Sequence, residues 1–439
     1  NGHRAFRISI FDCFMYSCDT DFVKKQHESG GTLMKRQKLY LGLLVGTLAT
    51  GLLVNQAEAV PSFARQTGMA CAACHTVFPE LNAFGRSFKL NGYTLTGIKQ
   101  VEAKETSAAS SLQFNQIPPL SAMLQVTAVN AKTGDPRTNI SLPDQLSFFF
   151  AGEISPHMGS FIQITMGQGT GFSMDNTDIR YANHAGNVTY GITLNNNPTV
   201  QDLWNTTPAW GFPFTAGAGT TTSPLVADGL GGNVAGLGAY ADWGNGIYTE
   251  LSLYRDTGTF DAPSYAGARI EGAAPYYRLA WNKTFDSGDY LMVGVYGMQT
   301  KLVDGISYAG PEDKFNDNAV DAQYEHSLSN NNMISVHASY TNEKQTLDLS
   351  GSGAEPTLKS TKLDAIYHWG YHATATVGYI NNSGNDGAYD DTAYTLQYSY
   401  LPWQNTKFTA QYVSYSKVAG VTDNASDYNT LTLQAWLMW

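Results

Sequence analysis

From about residue 118 to the last residue, polar and apolar positions alternate with a period of two. In "TLTLQAWLM", Leu431, Leu433, Ala435 and Leu437 fall on one face, and Thr432, Gln434 and Trp436 on the other. The stretches "SVHASY", "TKLDAIYH", "YTLQYSY" and "KFTAQY" repeat the pattern. Successive side chains of an extended chain point to opposite faces, so period two predicts strands with one apolar face. Sixteen such segments are read, near 120–131, 144–155, 159–167, 177–183, 187–195, 233–243, 246–255, 275–284, 288–300, 317–327, 332–342, 360–369, 372–381, 391–401, 406–416 and 427–439.

The connections alternate between short and long. The short ones include "SPHMG", "NHAG", "WGNG", "LSNNN", "WGY" and "LPWQN"; the long ones include 196–231, 256–274, 301–316, 343–359 and 417–426. An even number of antiparallel strands, with tight turns at one end and long loops at the other, is the pattern of a transmembrane outer-membrane β-barrel. Apolar residues then face lipid and polar ones the lumen. Trp439 closes the chain on the apolar face, as is common in such barrels. A soluble sandwich has no need of one-sided long loops, and no fixed-period repeat is visible. The expected fold is all-β: an antiparallel barrel of about 16 strands over residues 106–439.

Residues 60–105 break the alternation. "PELNAFGRSFKLNGY" offers Pro79 as a helix start and Gly92 as its stop, with Leu81, Phe84 and Phe88 on one helical face. A piece of about 45 residues is too small to bury a core unaided. The polar stretch "KETSAASS" links it to the barrel.

Composition agrees with strands and turns: 14 % charged residues, 43 Gly and 26 Tyr. The segment 34–59, "MKRQKLYLGLLVGTLATGLLVNQAEA", reads as a secretory signal peptide. It has a basic start (Lys35, Arg36, Lys38), an apolar run from Leu39 to Val54, and Ala57-Glu58-Ala59 before a cleavage at Val60. The apolar run is short for a membrane helix. Residues 1–33, which begin with Asn1, are read as upstream translation outside the mature protein, and Cys13 and Cys18 go with them. Removing 5 of 37 acids and 7 of 26 bases leaves a formal charge of −13. That balance argues against nucleic acid as a partner.

Two cysteines remain, in Cys71-Ala72-Ala73-Cys74-His75. C-x-x-C-H is the attachment site of one covalent haem c. Two thiols one helical turn apart reach the two vinyl groups on one porphyrin edge, and the next residue, His75, meets the iron as proximal axial ligand. A thioredoxin-like pair needs a βαβ setting. A disulfide across two residues is strained. A zinc site needs more ligands than the single His in residues 60–105.

The distal iron ligand is left open. No Met or further His lies between His75 and residue 105, and Met69 is tethered too close to Cys71. A barrel residue is therefore expected, and alternation puts Met123, His184, His337, His368 and His372 on the lumen face.

"PSFARQTGMACAACHTVFPELNAFGRSFKLNGY" is similar to the N-terminal segment of the fused outer-membrane cytochrome–porins of iron(II)-oxidising bacteria. The matching positions are Pro61, Phe63 to Met69, Cys71 to His75, and Pro79 to Leu81. The close likeness covers residues 60–97 and is architectural beyond them. It implies a Gram-negative outer-membrane oxidoreductase that takes electrons from extracellular Fe(II) and passes them to a periplasmic c-type cytochrome or cupredoxin. Cys71 and Cys74 would carry the haem and His75 its iron. The family pattern fixes no distal ligand.

The residues lead to a related picture. A haem piece that cannot fold alone is best buried in the barrel lumen, on the periplasmic side. The lipid band is about 25 Å tall, and electron tunnelling weakens steeply with distance, so one haem serves both faces only from inside. The long loops carry Asp202, Asp228, Asp256, Asp261, Asp304, Glu312, Asp313, Asp386, Asp390 and Asp391, which either concentrate Fe(II) on hard oxygen donors or only keep the outer loops soluble. The 196–231 loop, with Trp204, Trp210, Phe212 and Phe214, either folds inward over the haem or packs on itself. A diffusion porin with a haem-bearing gate or sensor, and a conduit running outward, are the competing readings.

Overall fold

The computed structural model describes residues 60–95, 100–102, 113–115, 117–133, 138–212, 223–227, 229–258, 267–307, 310–349, 352–385, 387, 389–421 and 424–439. The expected signal peptide, the 33 residues before it and the linker at 104–111 lie outside the described residues.

Each of the sixteen period-two segments is a strand. In chain order they are β1 (Leu120–Ala131), β2 (Thr138–Ser155), β3 (Met158–Gly167), β4 (Phe172–Ala185), β5 (Val188–Asn195), β6 (Val234–Trp243), β7 (Ile247–Asp256) and β8 (Ala274–Thr284). Then follow β9 (Tyr290–Asp304), β10 (Asp313–Ser327), β11 (Met333–Leu347), β12 (Thr357–Trp369), β13 (Ala373–Gly384), β14 (Asp391–Trp403), β15 (Thr406–Lys417) and β16 (Thr430–Met438). Every strand pairs antiparallel with its sequence neighbours, and β16 pairs with β1, Thr430 opposite Ala131, so the sheet closes. A short strand, Ala268–Ile270, extends the sheet beside the outer end of β9.

The burial pattern is that of a barrel in lipid. Along β7, Leu251 and Leu253 are 70 % and 58 % exposed, while Glu250 and Ser252 are 2 % exposed. On β16, Leu431 and Leu433 face out and Thr432 and Gln434 face in. Apolar groups on the outside of a closed barrel are stable only where the surroundings are hydrocarbon. Trp243, Trp281, Trp369, Trp403 and Trp439 are exposed at the short-turn end, a girdle of amphipathic rings at a membrane interface.

Several strands run farther than period two predicts, by most at the long-loop end; β4 and β14 also gain two residues at the short-turn end. β2 begins at Thr138 rather than near 144, β9 reaches Asp304 rather than 300, and β11 reaches Leu347 rather than 342. In this outer part Lys301 pairs with Lys314 and both reach Glu312. The hydrogen-bond ladder continues above the lipid band, where the outward face no longer has to be apolar. The alternation fades there although the strand does not.

The N-terminal segment forms three short helices, α1 (Pro61–Thr67), α2 (Cys71–Cys74) and α3 (Ala83–Leu90). α3 starts later than Pro79 because Leu81 first turns back to bridge with His75. Asn82 then caps the helix, its side chain accepting from the Gly85 amide at 3.0 Å. Gly92, at φ +70°, ends it. Phe88 is buried, whereas Phe84 is exposed.

The segment lies in the lumen and is held from several sides. Tyr93 donates to Asp178 of β4 (2.6 Å), and Gln66 donates to the Ala151 carbonyl of β2 (2.9 Å). Arg86 makes a two-toothed pair with Glu325 of β10 (2.5 and 3.2 Å). Lys407 of β15 donates to the Phe78 carbonyl (2.8 Å). A Cβ on Gly159 would overlap the Gly92 carbonyl, so segment and wall touch backbone to backbone.

Candidate functional site

The three motif residues line one cavity of about 200 Å³ at the short-turn end of the lumen. That is more than ten times the roughly 10–15 Å³ that one water needs. Its walls are mostly apolar: Phe63 and Phe88 from the segment, Phe149 and Phe161 from β2 and β3, and Trp436 from β16. A large apolar chamber with few polar groups is the kind of site that holds an organic cofactor.

The helices explain how the motif reaches it. α2 places Cys71 and Cys74 one turn apart, and α2 and α3 cross so closely that a Cβ on Gly85 would overlap the Cys74 carbonyl. The Cys71 amide donates to the side-chain oxygen of Gln404, and its thiol to the Gln404 carbonyl (3.3 Å). Gln404 belongs to the short turn between β14 and β15, which fixes the motif at that end of the barrel. Burial pushes the Cys74 thiol up to about 11. Such a thiol is protonated at neutral pH, unlike a redox-active or metal-binding thiolate.

His75 is set up as a metal ligand. Its Nδ1 lies 3.0 Å from the Glu80 carbonyl oxygen. A carbonyl only accepts, so Nδ1 carries the proton and donates. In the neutral ring the lone pair is then on Nε2. Burial lowers the His75 pKa, which keeps the ring neutral. An imidazole whose Nδ1 is tied to a backbone carbonyl has its tautomer and orientation fixed for a metal at Nε2. The residues fit a covalent haem: two thiols, a neutral imidazole and an apolar chamber converge on one place.

The sequence candidates for a distal ligand separate clearly. Met123 is buried and lines the cavity. The other four do not line it. His337 lies on the lumen face of β11, but its Nδ1 sits 2.8 Å from Asp364. His368 sits 2.9 Å from the Ser335 hydroxyl. His184 and His372 are exposed, His184 near the end of β4 and His372 in the short turn after β12. Met438, which sequence reasoning passed over, also lines the cavity. The same alternation that turned Trp436 inward turns Met438 inward two residues later.

The described first part of the long loop, 196–212, folds inward. Trp204 and Phe212 are buried, and Trp210 lines the cavity, its indole donating to the Val200 carbonyl (2.8 Å). Phe214 lies outside the described residues. Lys89 of α3 reaches the loop and donates to the carbonyls of Val200 (2.6 Å) and Asp202 (2.7 Å). Asn205 accepts from the Leu81 amide at 3.2 Å. Above the cavity the lumen is a buried ion network. Arg180 pairs with Asp178 (2.8 Å), and Arg278 pairs with Asp202 (3.1 Å) and Asp321 (2.7 Å). Asp202, expected among solvated outer acids, is therefore a buried counter-ion. Asp391 is also buried.

Of the other expected outer acids, Asp228, Asp261 and Asp386 lie outside the described residues. Glu312 is engaged by Lys301 and Lys314, Asp390 by Lys417 and Asp256 by Arg269. Among the described residues no three His, Cys, Asp or Glu side chains come together to hold a metal ion.

No family model and no curated protein sequence matches the chain. Solved structures that resemble it are outer-membrane proteins. The channel DcaP of Acinetobacter baumannii is 13 % identical at a TM-score of 0.48, over 73 % of this chain and 96 % of its own. Salmonella typhi OmpF, in its complex with daunomycin, is 13 % identical at 0.47, over 73 % and 97 %. Vibrio cholerae OmpT is 12 % identical at 0.45, over 73 % and 97 %.

Proposed function

We propose that this protein is an outer-membrane electron conduit, in which one haem c on Cys71 and Cys74, with His75 on its iron, is held inside the barrel. The donor is extracellular Fe(II), and the acceptor is a periplasmic c-type cytochrome or cupredoxin. One Fe(II) is oxidised to Fe(III) for each electron the acceptor gains. The observation that carries the reading is the convergence of both cysteines and a neutral, oriented His75 on one apolar chamber within the lumen. When bound, haem supplies a one-electron couple. The chain's own part is to hold it, exclude water with Phe63, Phe88, Phe149 and Trp210, and stand it between the two faces of the membrane.

Filling of the lumen supports a conduit over a diffusion pore. Asp178, Arg180 and Arg278 face inward and are all buried, which is unlike side chains lining an open aqueous channel.

The test is a haem absorption spectrum of intact cells or right-side-out outer membranes, before and after Fe(II), with a Cys71→Ala/Cys74→Ala variant as control. Rapid reduction that disappears in the control is expected. A haem reduced by dithionite but not by Fe(II) would remove iron as donor. A chain that carries no covalent haem, with a steady open-pore conductance, would replace the conduit by a porin.

A further inference from the structure

We propose that Met123, on the first strand of the barrel, supplies the distal ligand of the haem iron. The inference rests on the haem reading above and adds what that reading leaves open, the identity of the sixth ligand.

The cavity walls contain few groups able to bind iron. Among the histidines of the described residues, His75 alone lines the cavity. The Lys89 amine is occupied by two carbonyls, and the Tyr93 hydroxyl donates to Asp178. The glutamines at 125, 145, 163 and 404 offer only neutral amide oxygens, weak partners for haem iron. Two thioethers remain, Met123 and Met438.

The barrel seam brings these two together. β16 pairs with β1 so that Met438 stands directly opposite Met123. Trp436 and Gln125 are the next lumen-facing pair, and both also line the cavity. The two methionines nevertheless differ in their surroundings. Met438 packs both against the cluster of Val77, Phe78 and Leu401, beside the loop that carries His75, and against the cluster of Met123 itself. Met123 belongs to the cluster with Phe149 and Ala151, and is not part of the Phe78 cluster. A sixth ligand has to approach from the side of the porphyrin away from the proximal histidine, and Met123 is the thioether whose packing stays clear of the His75 loop.

Met123 is also held for the task. It is 1 % exposed, so its thioether is shielded from bulk solvent. The Gln125 side-chain amide lies 3.7 Å from its sulfur and donates toward it. Gln125 is thus a positioning residue, and the sulfur keeps a second lone pair for iron. Histidine–methionine ligation raises the potential of a c-type haem, which suits a carrier that accepts electrons from a weakly reducing donor such as Fe(II).

The experiment uses the full-length chain, matured with haem and purified in detergent. Met123→Leu and Met438→Leu are compared with wild type; each exchange keeps side-chain volume nearly constant. Covalent haem is read first, by haem staining of denatured protein. Its absence from wild type would overturn the haem reading itself. With covalent haem present, three signals report on the sixth position. They are the weak red absorption band of ferric haem bound by methionine sulfur, carbon monoxide binding by the ferrous form, and the midpoint potential. Met123→Leu is expected to lose the band, gain carbon monoxide binding and fall in potential, while Met438→Leu keeps all three wild-type signals. Met123→His is expected to give a low-spin haem without the methionine band. A wild type without the band would overturn the proposal while leaving the haem reading intact. So would a band that survives Met123→Leu, or one that is lost only in Met438→Leu.

Discussion

Two inserts fill this barrel, and they fill it differently. The N-terminal segment, 60–95, occupies the short-turn end and leaves an apolar chamber between itself and the wall. The inward loop after β5 descends from the long-loop end and packs down into a lattice of buried ion pairs around Arg180 and Arg278. Arginine and aspartate are costly to bury unless paired, and the lattice around the loop pairs them, Arg180 with Asp178 and Arg278 with Asp202 and Asp321. The segment's chamber is walled mainly by aromatic rings and thioethers, with a few glutamines among them, and shapes a space for something largely apolar. One insert closes the lumen and the other furnishes it.

This contrast can be broken by mutation. The largest effect is expected at Glu325, the only acid that pairs with Arg86 among the described residues. Glu325→Ala leaves a buried guanidinium without its counter-ion, a loss of about 3–5 kcal/mol. The segment should then undock and be cut by protease between residues 60 and 95, while the barrel stays resistant. A segment that stayed protected would mean that Tyr93, Gln66 and the apolar contacts suffice to hold it.

A smaller effect is expected at Asp202 of the loop. Asp202→Asn removes one of the two carboxylates on Arg278 and leaves Asp321 in place, so the loss should be about 1.5–3 kcal/mol. It should appear as faster amide hydrogen exchange in residues 199–212, with segment 60–95 unchanged. Faster exchange in both inserts would show that they are one unit joined through Lys89, and the contrast would fail. The smallest effect is expected at Lys301, on the outer surface above the lipid band. Lys301→Ala breaks solvated pairs with Glu271 and Glu312 and should change neither protease resistance nor exchange in either insert.

Much of the architecture was legible because the membrane imposes it. Sixteen alternations gave sixteen strands, since each spanning strand must show lipid one apolar face. The pattern failed by most at the long-loop end, near Thr138 and Leu347. The candidate site was half legible. Cys71, Cys74 and His75 are adjacent in sequence, so their chemistry is local. The distal side is built from strands far apart in the chain, and alternation tells which residues point inward but not what they meet there. His337 and Met123 have the same parity; register gives one to Asp364 and the other to the cavity. Asp202 looked like an outer acid because its partner Arg278 lies on another strand. Met438 was within reach, two residues past an inward Trp436.

The cavity wall includes both the first strand and the last. Cys71 is buried in the finished molecule, and β16 completes the enclosure by pairing with β1. On the proposed haem reading, a porphyrin-sized group would have to be joined to the cysteines before the sheet closes. Attachment would then come first, insertion of the segment next, and pairing of the last strand at the end. A barrel that shut too early would be complete in fold and closed to haem.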